Sequence, residues 1–379
     1  MARAYCDWNA TAPIRPEAAE AFARALFLAN PSSVHQEGRA ARAAIESARA
    51  EVAALAGAQA QQVVFTSGGT EAAATALHPY GDDEVLFIGA AEHAAVRAGG
   101  RYARGAIVMA PVDAQGRLDR AELDLMVASR GLRPGQVHVA VQIANNETGA
   151  ITPLDTFAHL RQAGWRITAD AVQAAGRVDL APYAALCDSL LLSAHKIGGP
   201  KGVGALVLSR TLCGPFVPLV AGGGQERGYR AGTENVAGIV GFGVAARLAL
   251  GELARGASDP ALRDEFERRL RELAPQAVIF AADVPRLFNT CLFAVPGLAA
   301  ETALIAFDLD GVAVSSGAAC SSGKVAKSHV LRAMGVADDL VGAAIRISFG
   351  RTSSQDDAKA VLNSLERQLG RLGARRPAA

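Results

Sequence analysis

From about residue 62 to residue 208 the chain repeats one pattern: a short run of aliphatic and β-branched residues, a polar turn, then an alanine-rich stretch of helical length. The apolar runs fall at 63–66, 85–88, 107–110, 137–143, 166–169, 189–193 and 205–208. Helix-length stretches at 70–77, 120–129 and 154–163 separate several of them. Alternation of this kind predicts an α/β fold with a mostly parallel central sheet and helices on both faces. Ligands in such sheets gather at the carboxyl ends of the strands. Two further helices, at 16–28 and 39–55, precede the sheet and flank Asn30-Pro31-Ser32-Ser33-Val34-His35, and a long apolar helix at 235–253 follows it. Residues 254–260 are the best boundary. Beyond them, strands at 277–280, 290–294 and 345–348 and helices at 301–309 and 355–369 predict a smaller α+β domain. The resulting division is a large domain over 15–255, a small one over 1–14 and 256–371, and a disordered tail over 372–379.

Composition narrows the class without naming the chemistry. The 379 residues are half hydrophobic, enough for a large core and two domains. Lys plus Arg total 38 against 37 Asp plus Glu, a net charge of +1, so nothing electrostatic favours a nucleic acid or an anionic membrane as partner. No apolar run approaches the roughly 18 residues of a spanning helix, and the first residues lack a signal-peptide core. Five cysteines, an odd number without CxxC spacing, argue against a disulfide framework and a thiolate metal site. A cytoplasmic protein with reduced thiols is expected.

Four places carry candidate chemistry. Ser193-Ala194-His195-Lys196 ends an apolar strand and runs into a Gly/Pro-rich turn. A lysine there is either a solvated turn residue or a desolvated amine with a lowered pKa, the state a Schiff-base lysine needs. Thr66-Ser67-Gly68-Gly69-Thr70-Glu71 joins a strand to a helix, and serves either as a phosphate site or as an ordinary capped helix start. Asp170 closes the strand 166–169, with Gln173 three residues on. It could hold a protonated ring nitrogen, cap a helix or bind a metal, but no second ligand stands at metal spacing. Cys320 sits in Ser315-Ser316-Gly317-Ala318-Ala319-Cys320-Ser321-Ser322-Gly323, where there is no large apolar neighbour. This predicts an exposed, mobile loop and a thiol available as a nucleophile. Cys291 sits in Asn289-Thr290-Cys291-Leu292-Phe293 and Cys187 precedes an apolar strand; both are expected to be inert core thiols, while Cys6 and Cys213 have no assigned role.

Taken in order, TSGGTEA, EHAAV, ANNETG, DAVQAAG, SAHKIGGPKGVG, GGGQERGYRAGTEN and SSGAACSSG resemble the cysteine desulfurases, class V aminotransferase-like enzymes dependent on pyridoxal 5'-phosphate. The resemblance runs from Asn30 to Arg351 and implies aminotransferase fold type I. It implies that Lys196 holds the cofactor, Asp170 pairs with its ring nitrogen and Gln173 bonds its phenolic oxygen. His93 would stack on the ring and move protons. Gly69, Thr70, Ser193 and His195 would form the phosphate site, completed in a homodimer by Thr233 of the neighbouring subunit. Asn145 would lie beside ring and substrate, and Asn30 and Arg346 would grip the substrate carboxylate. Cys320 would take sulfur from L-cysteine as a persulfide, leaving L-alanine, and pass it to an acceptor such as an iron–sulfur scaffold protein. Its loop resembles the longer-loop group. A selenocysteine lyase on the same scaffold, or a non-catalytic cofactor-binding protein, are the competing readings. Two departures bear on His93: no asparagine follows Thr70-Glu71, and the segment from Thr70 to His93 is short.

Overall fold

A computed structural model describes residues 3–209, 216–256, 258–316 and 327–375. Its strands are β1 (Ala4–Tyr5), β2 (Val63–Thr66), β3 (Val85–Gly89), β4 (Ile107–Ala110), β5 (Val137–Gln142), β6 (Arg166–Asp170), β7 (Ser189–Ser193) and β8 (Gly204–Leu208), followed by β9 (Val278–Ile279), β10 (Thr290–Ala294), β11 (Val312–Ala313) and β12 (Ala344–Ser348). Seven of them form one sheet in the order β2-β8-β7-β6-β5-β3-β4. Only β8 runs antiparallel to its neighbours, so the sheet is mostly parallel, as the alternation predicts. Of its inner strands, β5, β7 and β8 are buried along their whole length, and β3 and β6 at all but their ends, which is why they read as apolar runs.

Helix Val236–Ala254 packs against Pro16–Ala25 and Gln36–Ala56 on one side of this sheet. Glycines allow the close approach: a Cβ on Gly243 would come within 2.6 Å of Ala48, and one on Gly241 within 2.6 Å of Pro200. This helix is long and apolar enough to cross a membrane, against the expectation that no run of that kind exists, but half of its most apolar window is buried inside the protein. A second core lies around the antiparallel sheet β12-β10-β9. There β1 pairs in parallel with β11, and Asp7 bridges to Ser348, which lays the N-terminal segment along β12.

Three expectations change. The first helix stops at Ala25 rather than residue 28, and Leu26 and Phe27 are exposed, so their apolar character is not core periodicity. The next helix starts at Gln36, three residues early, because His35 caps it by accepting the Gly38 amide, a residue outside the usual capping set. The last helix continues to Arg375, into the tail expected to be disordered. The two-residue strands β1 and β11 are too short for a period-two pattern to reveal.

Candidate active site

The carboxyl ends of β5, β6 and β7 open on a cavity of about 650 Å3. Of the residues singled out above, Gly69, Thr70, His93, Asp170, Gln173, Ser193, His195, Lys196 and Arg346 line it.

At one end β2 stops at Thr66 and the helix Gly69–Ala76 begins, with Gly68 at its cap. First-turn amides of a helix have no intrahelical acceptors, so this end faces the cavity with free donors. Glycine at position 204 makes the arrangement possible: a Cβ there would meet Gly68 Cα at 2.7 Å and the Leu192 carbonyl at 2.6 Å. Glu71 fixes the turn by accepting the Ser67 amide at 2.9 Å and, from the Gly-rich segment, Arg230 Nε at 2.9 Å. Ser193 and His195 approach from the end of β7, with His195 Nδ1 3.1 Å from Thr11 Oγ1. Burial and the charges of Lys196 and Lys201 push His195 down to about 4, so it is neutral.

In the middle of the cavity, Lys196 Nζ donates to the carbonyls of Asn9 at 2.6 Å and Ala10 at 2.9 Å. Burial, reinforced by Arg346 and Arg177, lowers it to about 8. The half-buried side chain, held on two backbone carbonyls, favours the partly desolvated amine over a solvated turn lysine. Asp170 accepts the Val172 amide at 2.9 Å, and burial raises it above the ordinary carboxylate range against the pull of that amide, His93 and Lys196. His93 caps the helix Ala94–Arg97, its Nδ1 accepting the Ala95 amide at 3.2 Å. Burial depresses its pKa, and the shortened segment before it still delivers the ring to the cavity. Gln173 donates to the Asn9 carbonyl at 3.0 Å and accepts from Arg177 at 2.6 Å.

At the far end Arg346 is buried in β12, its Nη2 on Asp7 Oδ1 at 2.6 Å and its Nη1 on the Asn146 carbonyl at 2.9 Å. Its Nε is buried without a partner among the described residues. Ser315 lines the cavity here and exchanges backbone hydrogen bonds with Arg346. The chain thus departs from the cavity rim toward the segment 317–326, which holds Cys320 and lies outside the described residues. On the far side of that segment Ser328 donates to the buried Glu147 and His329 meets the Glu92 carbonyl at 2.9 Å.

Three residues stand elsewhere. Asn145 does not line the cavity: its Oδ1 accepts the amides of Glu147 and Thr148, both at 2.8 Å, and its Nδ2 donates to the Ala91 carbonyl. It builds the turn that presents its neighbour Asn146, which does line the cavity. Two adjacent asparagines give the sequence no way to choose between them. Asn30 is exposed, its Oδ1 spent on the Ser32 amide, and is not part of this lining. Thr233 is exposed in an adjoining cavity of about 270 Å3 that shares Ser67, Gly202 and Val203 with the main one. Sequence reading missed Asp7, Asn9 and Asn146. Asn9 works through its backbone carbonyl, which no side-chain motif records. Cys6, Cys187 and Cys291 are buried free thiols, and burial raises all three.

The residues present fit pyridoxal phosphate: a desolvated amine, a carboxylate and an imidazole in the middle, hydroxyls and free helix amides at one end, an arginine at the other. Comparison with known proteins agrees. A family model described as aminotransferase class-V matches residues 4–361. A cysteine desulfurase of Cereibacter sphaeroides is 40% identical, over 100% of this chain and 98% of that protein. The cysteine desulfurase IscS of Dictyoglomus turgidum is 36% identical over 97% and 95%. The solved structure of a NifS-like protein from Rickettsia africae superposes with a TM-score of 0.87 at 32% identity, covering 97% of this chain and 99% of that one. With near-complete coverage of each, the chain belongs to the class-V aminotransferase family, among the cysteine desulfurases.

Proposed function

We propose that the protein is a cysteine desulfurase that holds pyridoxal phosphate on Lys196, takes sulfur from L-cysteine onto Cys320 and releases L-alanine. The observation that carries this reading is the half-buried amine of Lys196, drawn down to about 8, lining a single cavity with Asp170 and His93. Pyridoxal phosphate, when bound, supplies an electron sink for bonds broken at the substrate's Cα. Thr70, Ser193, His195 and the helix amides after Gly68 would hold its phosphate, and Asp170 its ring cation.

The chain's own groups divide the remaining work. Arg346 binds the substrate carboxylate, to which its free Nε and its planar fork are suited. Because Asp7 already occupies Nη2, it fixes the guanidinium plane before substrate arrives. Lys196 is the group to accept and return the Cα proton, since an amine near neutrality serves in either direction. His93 is neutral, and the Ala95 amide on Nδ1 leaves its hydrogen on Nε2, a donor toward the cavity. Cys320 attacks the substrate sulfur as the thiolate. The Cβ–S bond breaks, its electron pair stays on the substrate carbon and is protonated to give alanine, and the sulfur remains as a persulfide. Transfer to an acceptor such as an iron–sulfur scaffold, a homodimer in which Thr233 completes the neighbouring site, and a cytoplasmic setting complete the reading.

The test is to follow sulfide and alanine together. Wild type should release both in equal amounts from L-cysteine with a thiol reductant, and Cys320→Ala should release neither at a comparable rate. Full sulfide production by Cys320→Ala would overturn the assignment of the nucleophile, and the same variant processing selenocysteine alone would favour the lyase reading.

Cofactor loading supplies a second prediction. Only the neutral amine condenses with an aldehyde. With Lys196 at about 8, the loading rate of apo-protein should rise about tenfold from pH 7 to pH 9 and level off, whereas a lysine near 10.4 would climb roughly a hundredfold without levelling. Stopped-flow absorbance after mixing with pyridoxal phosphate measures this directly.

A further inference from the structure

Lys196 also borders a second cavity. It measures about 380 Å3 and is lined by residues of both the large core and the smaller one, among them Ala249, Ile197, Leu262 and Phe349. That volume falls in the roughly 300–1,000 Å3 range of small-molecule sites, which favour such junctions. Trp8, Leu262 and Phe349 give it an apolar wall. Trp8 packs so closely on Gly350 that a Cβ there would come within 1.9 Å of the ring.

The charged lining is unbalanced. Arg15, Arg177, Lys196 and Arg351 face Glu252 and Asp259. Arg15 and Glu252 satisfy one another through two 2.6 Å contacts. Arg177 has no carboxylate partner among the described residues. Its Nη1 donates to the Gln173 carbonyl and side chain at 2.8 and 2.6 Å, and its Nη2 reaches the Lys196 carbonyl only at 3.4 Å. Arg351 has no hydrogen-bonded carboxylate among the described residues; it donates to the Ile14 carbonyl at 3.3 Å, lies 6.0 Å from the Trp8 ring, and its charge is felt by Glu252, whose fork is already taken by Arg15. Burial and the nearby Arg346 bring Arg177 down to about 10, the mark of an uncompensated cation. Asp259, also in the lining, is exposed and accepts the Ala261 amide at 2.9 Å. No carboxylate bonds Arg177 among the described residues, which leaves this half-buried guanidinium open to an anion.

We propose that this cavity is a second ligand site, taking a small organic carboxylate with a short apolar body. The carboxylate sits on the free edge of Arg177 and on Arg351, and the body lies against Trp8, Leu262 and Phe349. The guanidinium fork pairs with either a carboxylate or a tetrahedral oxyanion, and the apolar wall of Trp8, Leu262 and Phe349 is what favours a carboxylate that carries an apolar body. Arg177 touches Gln173 and the Lys196 carbonyl, so the occupant is felt in the catalytic cavity: a counter-charge on Arg177 offsets one of the two cations that hold Lys196 down. The site does not depend on desulfuration and stands or falls separately from it.

Propionate, titrated into the holoenzyme and followed by calorimetry and ligand-observed NMR, tests it. The expected result is saturable binding that survives Arg346→Lys in the catalytic cavity and weakens roughly tenfold or more in Arg177→Gln and in Arg351→Gln, with sulfate bound more weakly than propionate. Should Arg177→Gln fold poorly, Arg351→Gln decides alone, since that side chain is exposed. No saturable binding, an affinity unchanged in Arg351→Gln, or binding lost in Arg346→Lys would overturn the proposal, the last by placing propionate in the catalytic cavity.

Discussion

Lys196→Ala should purify without covalently held cofactor and lose sulfide and alanine production by about 10²–10⁴-fold or more, the scale of removing a positioned acid–base group. The expected loss is large because one amine is assigned both the attachment of the cofactor and the movement of the Cα proton. Its setting leaves no substitute. Lys201 is the other lysine lining the cavity, and its side chain lies in the exposed turn after Pro200. Borohydride reduction followed by peptide mapping is the decisive measurement: wild type should carry the reduced cofactor on Lys196 and the variant nowhere. Cofactor found on Lys201 in wild type would mean that the wrong amine had been chosen. Folding should survive, since Nζ bonds only two backbone carbonyls, of Asn9 and Ala10. Intact secondary structure by circular dichroism separates loss of chemistry from loss of fold.

A second large effect lies in the fold beneath the site. Glu226 should be among the least replaceable residues of the chain, with Glu226→Ala costing about 3 kcal/mol, the low end of the range for breaking a buried pair, because the half-exposed Glu46 stays on Arg49 at 3.1 Å. Arg49 and Glu226 are both nearly inaccessible and meet through two contacts of 2.6 and 2.8 Å. Glu226 also accepts the Phe65 amide at 2.9 Å, and Arg49 donates to the Val63 carbonyl, so the pair clamps the edge strand β2. Glu226 and Arg227 hold left-handed backbone angles, φ 47° and 58°, a conformation costly for side-chain-bearing residues and kept here by these contacts. The Gly-rich segment bearing Arg230 and Thr233 follows directly. Hydrogen exchange should show protection lost first at Phe65 and across 222–233, with the denaturation midpoint lowered. Glu226→Gln keeps an acceptor for Phe65 but not the charge, and should fall between. An unchanged midpoint in Glu226→Ala would mean that the pair does no more than break even.

How legible the site was depended on the kind of group involved. Lys196, Asp170 and Ser193 stand at strand ends, and a parallel sheet brings strand ends together whatever the intervening loops do. Their association follows from order along the chain. His93 needed the family resemblance, since a histidine before a short helix has no periodic signature. Asn145 and Asn146 could be separated only by the turn they form, in which the first is consumed in holding the backbone and the second is presented. Asn30, read as a substrate ligand, spends its side chain on its own turn. Asp7 and Asn9 belong to a segment that reaches the cavity because β1 pairs with β11, more than 300 residues away, and Asp7 bridges to Ser348 on β12. Pairing between two-residue strands leaves no local pattern.

The sequence by itself determined the alternation of strands and helices, the mostly parallel sheet, the lysine and aspartate at its carboxyl edge, and the glycine-rich cap beside them. These follow from local apolar runs and backbone constraints that neighbouring residues dictate. Tertiary structure alone decided that Lys196 is desolvated and drawn to about 8, because burial and the nearness of Arg346 and Arg177 come from distant segments. It decided likewise that Arg346 is oriented by Asp7, and that Arg177 faces a second cavity with no carboxylate of its own among the described residues. Charge and burial act through space over a few ångströms, and only the folded chain sets which residues stand that close.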